Sequence, residues 1–473
     1  RRMRMAGTPE GAALPERPAA PAGPAVEAVP TGNLLGFLLF LLLNVDLFVR
    51  PEEWLPDLDG LHLYEILILS SLAVCLPGVL RQLAPQSLRD RPVTVCVLGL
   101  LAAIMLSSLS RFQFHDAYDA ATVFVKVVIY FLLLLANVTT AARMRALLVC
   151  VVGSILLVAS LALLQYHGLA HIPALEALQQ HVQGGDEDDD AAYTPRLQAT
   201  GIYNDPNDFS MILLVCMGIC VYGAGGRGRV VRRFLWLLPF ALFGYALMRT
   251  QSRGGFIALL AGTLILLRAR FSWKKTFLIG ALVIPVIFAL FAGRQTSIDL
   301  GDDQDTAQAR VQLWNEGFVL FKTAPVFGIG KDNYNEEVRQ PAHNSYVHCY
   351  TELGAFGGTL FVGTVYCALV PLLLLGRKGA PPITDPEMAR LRPYLLAILV
   401  AYAAGMLSLS RPYVPPTYTM MGVGAAYLAI VADGRVLPGT RLNGKLVKQV
   451  LLASVLCFTG LYVFTRVFVH FGG

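Results

Sequence analysis

Long apolar runs are the feature of this 473-residue chain that most constrains its fold. Residues 34–43, 127–136 and 146–164 are almost free of polar side chains, and runs of about 20 apolar residues match the hydrocarbon thickness of a bilayer. Only 15% of the residues are charged, against about 25% in soluble domains, so too little polar surface is left to face water. The sequence therefore excludes a cytosolic enzyme, a nucleic-acid-binding protein and a secreted disulfide scaffold. It predicts a membrane protein with many spans, whose partners include membrane lipids and no nucleic acid.

Thirteen apolar segments follow a tail rich in Ala, Pro and Gly, and they predict an all-α bundle of 12–13 transmembrane helices. The count is 12 or 13 because the twelfth segment is short and the last one is weaker than the others. The segments cover residues 33–49, 61–81, 92–109, 121–138, 145–166, 207–224, 231–248, 254–270, 275–293, 349–376, 392–410, 417–432 and 446–469.

Lys and Arg residues predict the orientation of these spans. Basic loops follow the even-numbered segments, for example at 225–233 and 377–392, whereas the alternate loops carry most of the acidic residues. Because cytoplasmic loops are enriched in Lys and Arg, the basic loops are predicted to lie inside and the acidic loops outside. The predicted domains are a disordered cytoplasmic tail (1–32), N-terminal transmembrane helices (33–166), an outside loop (167–206), central transmembrane helices (207–293), a large catalytic outside loop (294–348) and C-terminal transmembrane helices (349–473).

Three arginines at outer span ends contradict this charge rule. Arg249 and Arg253 flank a short turn between two spans, and Arg196 precedes the last ten residues of the first long outside loop. Arginine suits phosphate because its planar guanidinium donates two parallel hydrogen bonds and keeps its charge, so these residues are candidate phosphate ligands. The alternative is that each one pairs with an acidic neighbour or a lipid head group. Lys126, which lies a turn or two inside a span, is predicted to line a polar outer cavity.

A histidine at the entry to the tenth span is the candidate general base. His343 precedes Asn344 and Ser345, which are good helix starters, so it could also be no more than a neighbour of a helix cap. Imidazole is nevertheless the commonest general base near neutral pH.

Three motifs resemble the O-antigen ligases and the broader ligase/polymerase superfamily. His343-Asn344 followed by nine residues, Gly354, two residues and Gly357 resembles the H-[NSQ]-x9-G-x-x-[GTY] pattern of the ligases. The other two motifs resemble the superfamily and are Ser252-Arg253-Gly254-Gly255 and the pair Arg310-Val311-Gln312-Leu313-Trp314 with Pro325-Val326-Phe327-Gly328-Ile329-Gly330.

The resemblance implies a GT-C-like glycosyltransferase in the bacterial inner membrane, with both long outside loops in the periplasm. It implies transfer of an O-antigen glycan from undecaprenyl pyrophosphate to a sugar hydroxyl of lipid A–core, with inversion and without cofactor or metal. His343 would be the general base, and Arg196, Arg253 and Arg249 would bind the donor pyrophosphate. Four further residues are expected to contact substrate: Asn344, Tyr346, Lys126 and Arg310.

Two other functions remain open from the sequence. An O-antigen polymerase would use the same donor with a second lipid-linked glycan as acceptor, and a transporter would use the arginines to bind an anionic lipid or solute. The histidine pattern favours the ligase, and the lack of an internal repeat argues against a transporter. Asp57-Leu58-Asp59 offers an alternative with a metal, but arginines aimed at the same pyrophosphate would make the cation redundant.

Overall fold

Helices occupy all thirteen predicted apolar segments in the computed structural model of the protein. The structure describes residues 33–58, 60–181, 193–226, 230–291 and 306–469. The helices are α1 (Leu34–Val49), α2 (Leu63–Gln82), α3 (Pro85–Asp90), α4 (Pro92–Leu109), α5 (Phe114–Asn137), α6 (Ala141–Tyr166), α7 (Pro206–Ala224), α8 (Val230–Thr250), α9 (Arg253–Arg270), α10 (Trp273–Leu290), α11 (Thr306–Thr323), α12 (Asn333–Val338), α13 (Ser345–Leu374), α14 (Pro386–Gly405), α15 (Pro415–Ala432) and α16 (Gly444–Phe468).

Within the described residues, eleven helices are long and apolar enough to cross a membrane. The two predicted spans outside this set are α9, which has three arginines at its ends, and α15, whose first turns contain Pro, Thr and Tyr. The prediction of an all-α polytopic membrane protein is confirmed. The count of 12 or 13 spans and the GT-C-like arrangement stay predictions.

Side-chain caps set several helix starts. Asp205 accepts hydrogen bonds from the first backbone N–H groups of α7, and Pro206 occupies its first position. Such caps satisfy donors that the helix itself leaves unpaired, and proline fits there because its missing N–H has no intrahelical role. Other helices capped by a side chain begin after Asn33, Thr140, Ser252, Asn344, Asp385 and Asn443.

A polar connection joins three helices inside the apolar bundle. The Tyr130 hydroxyl of α5 donates to Asn44 Oδ1 of α1 at 2.7 Å, and the Thr419 hydroxyl of α15 lies 2.9 Å from the Tyr130 hydroxyl. All three side chains are buried. Because lipid tails are as apolar as leucine, hydrogen bonds of this kind help to hold membrane helices in register.

The first long loop contains regular structure. Strands β1 (Leu178–His181) and β2 (Tyr193–Arg196) pair antiparallel, with Leu178 opposite Arg196. Short 3-10 turns at Pro173–Leu175 and Gly201–Tyr203 flank this hairpin. The acidic run of this loop, Asp186-Glu187-Asp188-Asp189-Asp190, lies outside the described residues.

The segment predicted as the second long loop contains two helices, α11 and α12, and α13 begins four residues before the predicted span. Polar residues are interspersed among the apolar residues of α11, so a search for continuous apolar runs could not predict this helix. Its apolar face packs on α16, with the Trp314 and Phe464 ring centroids 5.9 Å apart and those of Phe318 and Phe458 5.4 Å apart. Residues 292–305, which include the second acidic run, lie outside the described residues.

Candidate functional site

The turn between α8 and α9 carries two of the predicted arginines, and the hairpin adds the third. We call residues 249–253 the arginine turn. The Leu197 backbone N–H donates to the Arg249 carbonyl at 2.9 Å, and Arg196 Nε donates to the Thr250 carbonyl at 2.9 Å. The structure thus brings Arg196 next to the turn that holds Arg249 and Arg253, although the two segments are about fifty residues apart in sequence.

Arg196 is nearly fully buried and also anchors the hairpin. Besides the Thr250 carbonyl, its guanidinium donates to Gln180 Oε1 at 2.9 Å and to Asn207 Oδ1 at 3.2 Å. The first contact holds the opposite strand, and the second reaches the first turn of α7. Arg196 therefore has a structural role in addition to any contact with substrate.

Two glycines after Arg253 let α9 start in close contact with its neighbours. A Cβ on Gly254 would lie 1.9 Å from Ser408 Oγ, and one on Gly255 would lie 2.5 Å from Ser210 Oγ. Ser252 caps the helix by accepting from the Gly255 N–H at 3.1 Å. The Ser-Arg-Gly-Gly motif therefore places Arg253 at the first position of a helix that is fixed against α7.

Arg249 lies against the aromatic ring of Tyr166 at the end of α6. Its guanidinium carbon is 4.7 Å from the ring centroid, and a terminal nitrogen donates to the Tyr166 hydroxyl at 2.5 Å. Its buried Nε has no hydrogen-bond partner within the part of the chain that the structure describes. Arg249 thus keeps donor capacity beside Arg196 and Arg253.

The first turn of α7 connects the arginine turn to Arg411, whose positive charge acts on His343. Asn207 Oδ1 accepts from the Ser252 hydroxyl at 2.8 Å, as well as from Arg196. The next residue, Asp208, is buried and accepts from both Nε and Nη2 of Arg411, at 2.8 and 2.5 Å. Two adjacent side chains of α7 therefore contact both parts of the site, since Asn207 contacts the arginine turn and Asp208 contacts Arg411.

Arg411 is a functional candidate that the sequence reasoning missed. It lies in the segment 409–414 between α14 and α15, and its backbone N–H donates to Ser345 Oγ at 3.0 Å. The Asp208 hydrogen bonds raise the pKa of Arg411. A signal was available, because Arg411 is a further arginine at an outer span end, like Arg249 and Arg253.

His343 precedes the start of α13 in a left-handed backbone conformation, with φ of 48°. Asn344 caps the helix by accepting from the Tyr346 and Val347 N–H groups at 3.0 and 3.1 Å. Trp314 of α11 donates to the Ala342 carbonyl at 2.8 Å and so fixes the chain just before His343. This segment is therefore held from both sides.

The surroundings of His343 keep its imidazole neutral. Burial, together with the nearby positive charges of Arg310 and Arg411, lowers the pKa of His343 to about 4, whereas Asp205 acts in the opposite direction. A neutral imidazole can accept a proton at physiological pH. Arg310, predicted as a substrate contact, and Arg411 thus both lie within electrostatic range of the predicted base.

The glycine pattern after His343 breaks α13 into two parts. Gly354 has φ of 66° and ψ of −168°, which no helix allows, so residues 345–353 form a separate outer half of α13. A Cβ on Gly354 would lie 2.3 Å from the Val326 carbonyl oxygen, and one on Gly328 would lie 2.2 Å from the Glu352 carbonyl oxygen. The backbones at Gly328 and Gly354 are in direct contact, and a side chain at either position would prevent that contact. This explains why both motifs contain glycine.

Comparison with known families tests the resemblance. Residues 238–362 match a family model described as O-antigen ligase. This match runs from the middle of α8 into α13 and includes the arginine turn, Arg310 and His343. This match supports membership of the O-antigen ligase/polymerase superfamily. A comparison with curated proteins gave no match.

The matched family implies a membrane enzyme of the glycosyltransferase type that uses lipid-linked and lipid-anchored substrates in O-antigen processing. The eleven helices long enough to cross a membrane within the described residues agree with a multi-pass membrane protein. The matched quarter of the chain does not include Arg196, Asp208 or Arg411, which other elements bring to the same place.

Two residues predicted as substrate contacts are bound to other groups of the protein, and their role in substrate binding stays a prediction. Tyr346 is buried, and its hydroxyl donates to the Ala403 carbonyl of α14 at 3.0 Å. Lys126 of α5 pairs with Glu65 of α2, with its Nζ 2.8 Å from Glu65 Oε1. Asn344 is a helix cap, as described above, with a buried amide nitrogen that has no partner in the described ranges.

An apolar cavity of about 550 Å³ lies among α7, α8, α9, α10 and α14. Met248, which directly precedes the arginine turn, lines one part of it, and Leu267 of α9 lines another. The cavity thus extends from the arginine turn along the bundle. Its lining is almost entirely apolar.

No group of three or more His, Cys, Asp or Glu side chains in the described ranges is arranged to hold a metal ion. Asp57 is exposed, and Asp59 lies outside the described residues. The absence of a metal from the reaction stays a prediction.

Proposed function

We propose that this protein is an O-antigen ligase. It transfers a glycan from undecaprenyl pyrophosphate to a sugar hydroxyl of lipid A–core, on the periplasmic face of the bacterial inner membrane. The observation that carries the proposal is the first turn of α7, where Asn207 contacts Arg196 and Asp208 binds Arg411. These contacts support a single site that combines the candidate phosphate ligands with His343.

The arginines suit the donor pyrophosphate. As the glycosidic bond breaks, negative charge develops on the leaving phosphate, and preorganised positive groups stabilise that charge most strongly. Arg253 and Arg249 lie on the arginine turn, and Arg196 is fixed beside them by Thr250. Because the Arg411 guanidinium is oriented by Asp208, it adds a positive charge on the side of His343.

The apolar cavity suits the polyprenyl tail of the donor. A tail that enters between α8 and α10 would place its pyrophosphate at the arginine turn, because Met248 both lines the cavity and precedes Arg249. The apolar lining favours a hydrocarbon ligand, since burial of apolar surface is the main source of binding energy for such a chain.

His343 suits the role of general base. The acceptor hydroxyl oxygen would bond to the anomeric carbon while the bond from that carbon to the phosphate oxygen breaks. The hydroxyl proton passes to His343, and the electron pair leaves with the pyrophosphate. Direct displacement of this kind inverts the anomeric centre. The negative donor would also raise the pKa of His343 from its low value and so strengthen the base when the donor is bound.

The test uses purified full-length protein in lipid nanodiscs with undecaprenyl-pyrophosphate glycan and lipid A–core, with chelator and without nucleotide. We expect glycan on lipid A–core. We expect Arg253→Ala to lower the rate by about 10²–10³, with poor rescue by lysine, because an ammonium cannot form two parallel hydrogen bonds. Arg268→Ala is the matched control, since Arg268 is exposed at the opposite end of α9.

The base is tested in the same assay. His343→Gln should lower the rate by about 10²–10⁴ without loss of donor affinity. A fast glutamine variant would remove His343 from catalysis. Extension of lipid-linked glycan in place of transfer to lipid A–core would assign the polymerase reaction, and lipid movement across the bilayer without any transfer would assign a transporter.

A further inference from the structure

Glu352 is a fully buried carboxylate on the outer half of α13, two turns below the helix start. Its Oε1 lies 3.0 Å from His348 Nε2, and it accepts from the Tyr334 backbone N–H of α12 at 3.3 Å. Its backbone carbonyl accepts from Gly330 N–H at 3.0 Å and from the Ser107 hydroxyl of α4 at 2.5 Å. One residue thus connects α13 to α12, to the segment before α12 and to α4.

His348 extends this connection to the segment that carries Arg411. The Tyr334 ring stacks on the His348 ring with centroids 5.3 Å apart, and the Tyr413 ring meets it edge-on at 6.0 Å. Burial and the nearby Glu352 carboxylate raise the pKa of Tyr413, which keeps its hydroxyl protonated. Tyr413 follows Arg411 by two residues, so movement of His348 would reach the Asp208–Arg411 contact.

Burial of the Glu352 and His348 side chains costs free energy, so we expect this pair to have a role beyond stability. Two ionisable groups this deeply buried lose their hydration, and an apolar pair of similar volume is often as stable or more stable. Buried polar pairs can instead select one arrangement of the segments around them, because partial pairing is strongly unfavourable.

We propose that Glu352 is a positioning residue for the base. Paired with His348, it fixes the outer half of α13, and His343 at its start, against residues 328–334 and 409–414. This inference rests on the proposed role of His343. A shift of about 1 Å in a reacting group can cost about a hundredfold in rate, so a positioning residue without substrate contact can have a large effect.

The experiment combines Glu352→Gln with His343→Gln in the full-length protein. Glutamine keeps an oxygen acceptor for the Tyr334 N–H but replaces the carboxyl group that pairs with His348. We expect Glu352→Gln alone to lower kcat by about 10- to 100-fold with donor KM unchanged, and to cause no further loss in the His343→Gln background. An equal loss in both backgrounds, or no loss in either, would overturn the proposal. Glu337→Gln, an exposed change on α12, is the matched control and should leave kcat unchanged.

Amide hydrogen exchange provides a measurement that does not depend on transfer. Without substrate, Glu352→Gln should speed exchange of the peptide covering residues 328–336 by at least about tenfold, whereas Glu337→Gln should not. Unchanged exchange would contradict the positioning role even in an active ligase. Faster exchange in a protein without ligase activity would show that Glu352 orders residues 328–334, and it would reject the proposed function rather than this ordering.

Discussion

At the residue scale, the site depends on neighbours that shift the properties of a few side chains. His343 has a pKa lowered to about 4 by burial and by the positive charge of Arg310. The free enzyme therefore holds a neutral imidazole over the whole physiological range. The pH below which the enzyme loses activity should therefore lie well below the usual histidine pKa of about 6.5.

Arg310 provides a test of this electrostatic control. Arg310→Gln removes a positive charge that disfavours the imidazolium form, so the pKa of His343 should rise toward its usual value. The acid limb of kcat/KM, which reports the free enzyme, should then move to higher pH, by less than the full shift because burial is the larger cause. A pH–rate profile measures the change. Arg339→Gln, an exposed change outside α12, should leave the limb in place, and an unmoved limb in Arg310→Gln would refute the assignment.

Sequence alone could predict single residues of the site but not their contacts. Arg196, Arg253 and His343 were predicted because an outer arginine or a histidine at a span entry is unusual for its position. The bridge through Asn207 and Asp208 could not be predicted, because it joins elements that are distant in the chain. Asp208 also lies inside a predicted span, where it looked like part of an apolar run.

At the element scale, the broken helix α13 explains why the glycine spacing matters. Gly354 ends the outer half of the helix, and the freed Ala355 N–H donates to the Pro325 carbonyl at 2.8 Å. Apolar run length could predict α13 as one helix because a bilayer favours helices that satisfy their own backbone. It could not predict the break, which depends on close contact with the Gly328 segment. The amphipathic α11 was missed for the related reason that its stability comes from packing.

Gly354→Ala tests this account of the motif. The new Cβ would lie 2.3 Å from the Val326 carbonyl oxygen, at a φ of 66° that alanine rarely adopts. The φ and ψ of Gly354 lie in a region that essentially only glycine adopts, so backbone strain alone costs about 1–3 kcal/mol, and the backbone clash adds to it. We expect a lower thermal midpoint in detergent and loss of transfer. Gly460→Ala on α16 has open space and helical φ, so it should be neutral or slightly stabilising, and equal effects of the two changes would contradict the contact model.

At the scale of the whole molecule, charge asymmetry and helix order predict which end of the bundle carries the site. The starts of α7, α9 and α13 meet at one end, as the contacts of Asn207 and Arg411 require. In the sequence, basic residues come after the C-terminal ends of α7, α9 and α13, which are opposite to the ends that meet at the site. A lipid-linked donor and a lipid-anchored acceptor would both reach the first end from the membrane.

Single cysteines in a Cys-free background test this orientation. Glu337→Cys lies on exposed α12 and Lys378→Cys lies in the exposed loop after α13, so each thiol should be accessible from one side of the membrane. In intact spheroplasts, a membrane-impermeant thiol reagent should label the first and not the second, because basic loops stay in the cytoplasm. Permeabilised cells, in which both should react, control for thiol reactivity.

Two further cysteines test the number of spans. Arg435→Cys, between α15 and α16, should behave like Lys378→Cys if α15 spans the membrane, and Gly472→Cys should behave like Glu337→Cys if α16 also spans it. Labelling of Lys378→Cys but not of Glu337→Cys would reverse the predicted orientation of all the spans. The arginine turn and His343 would then lie on the cytoplasmic side of the membrane, and the proposed transfer on the periplasmic face would be ruled out.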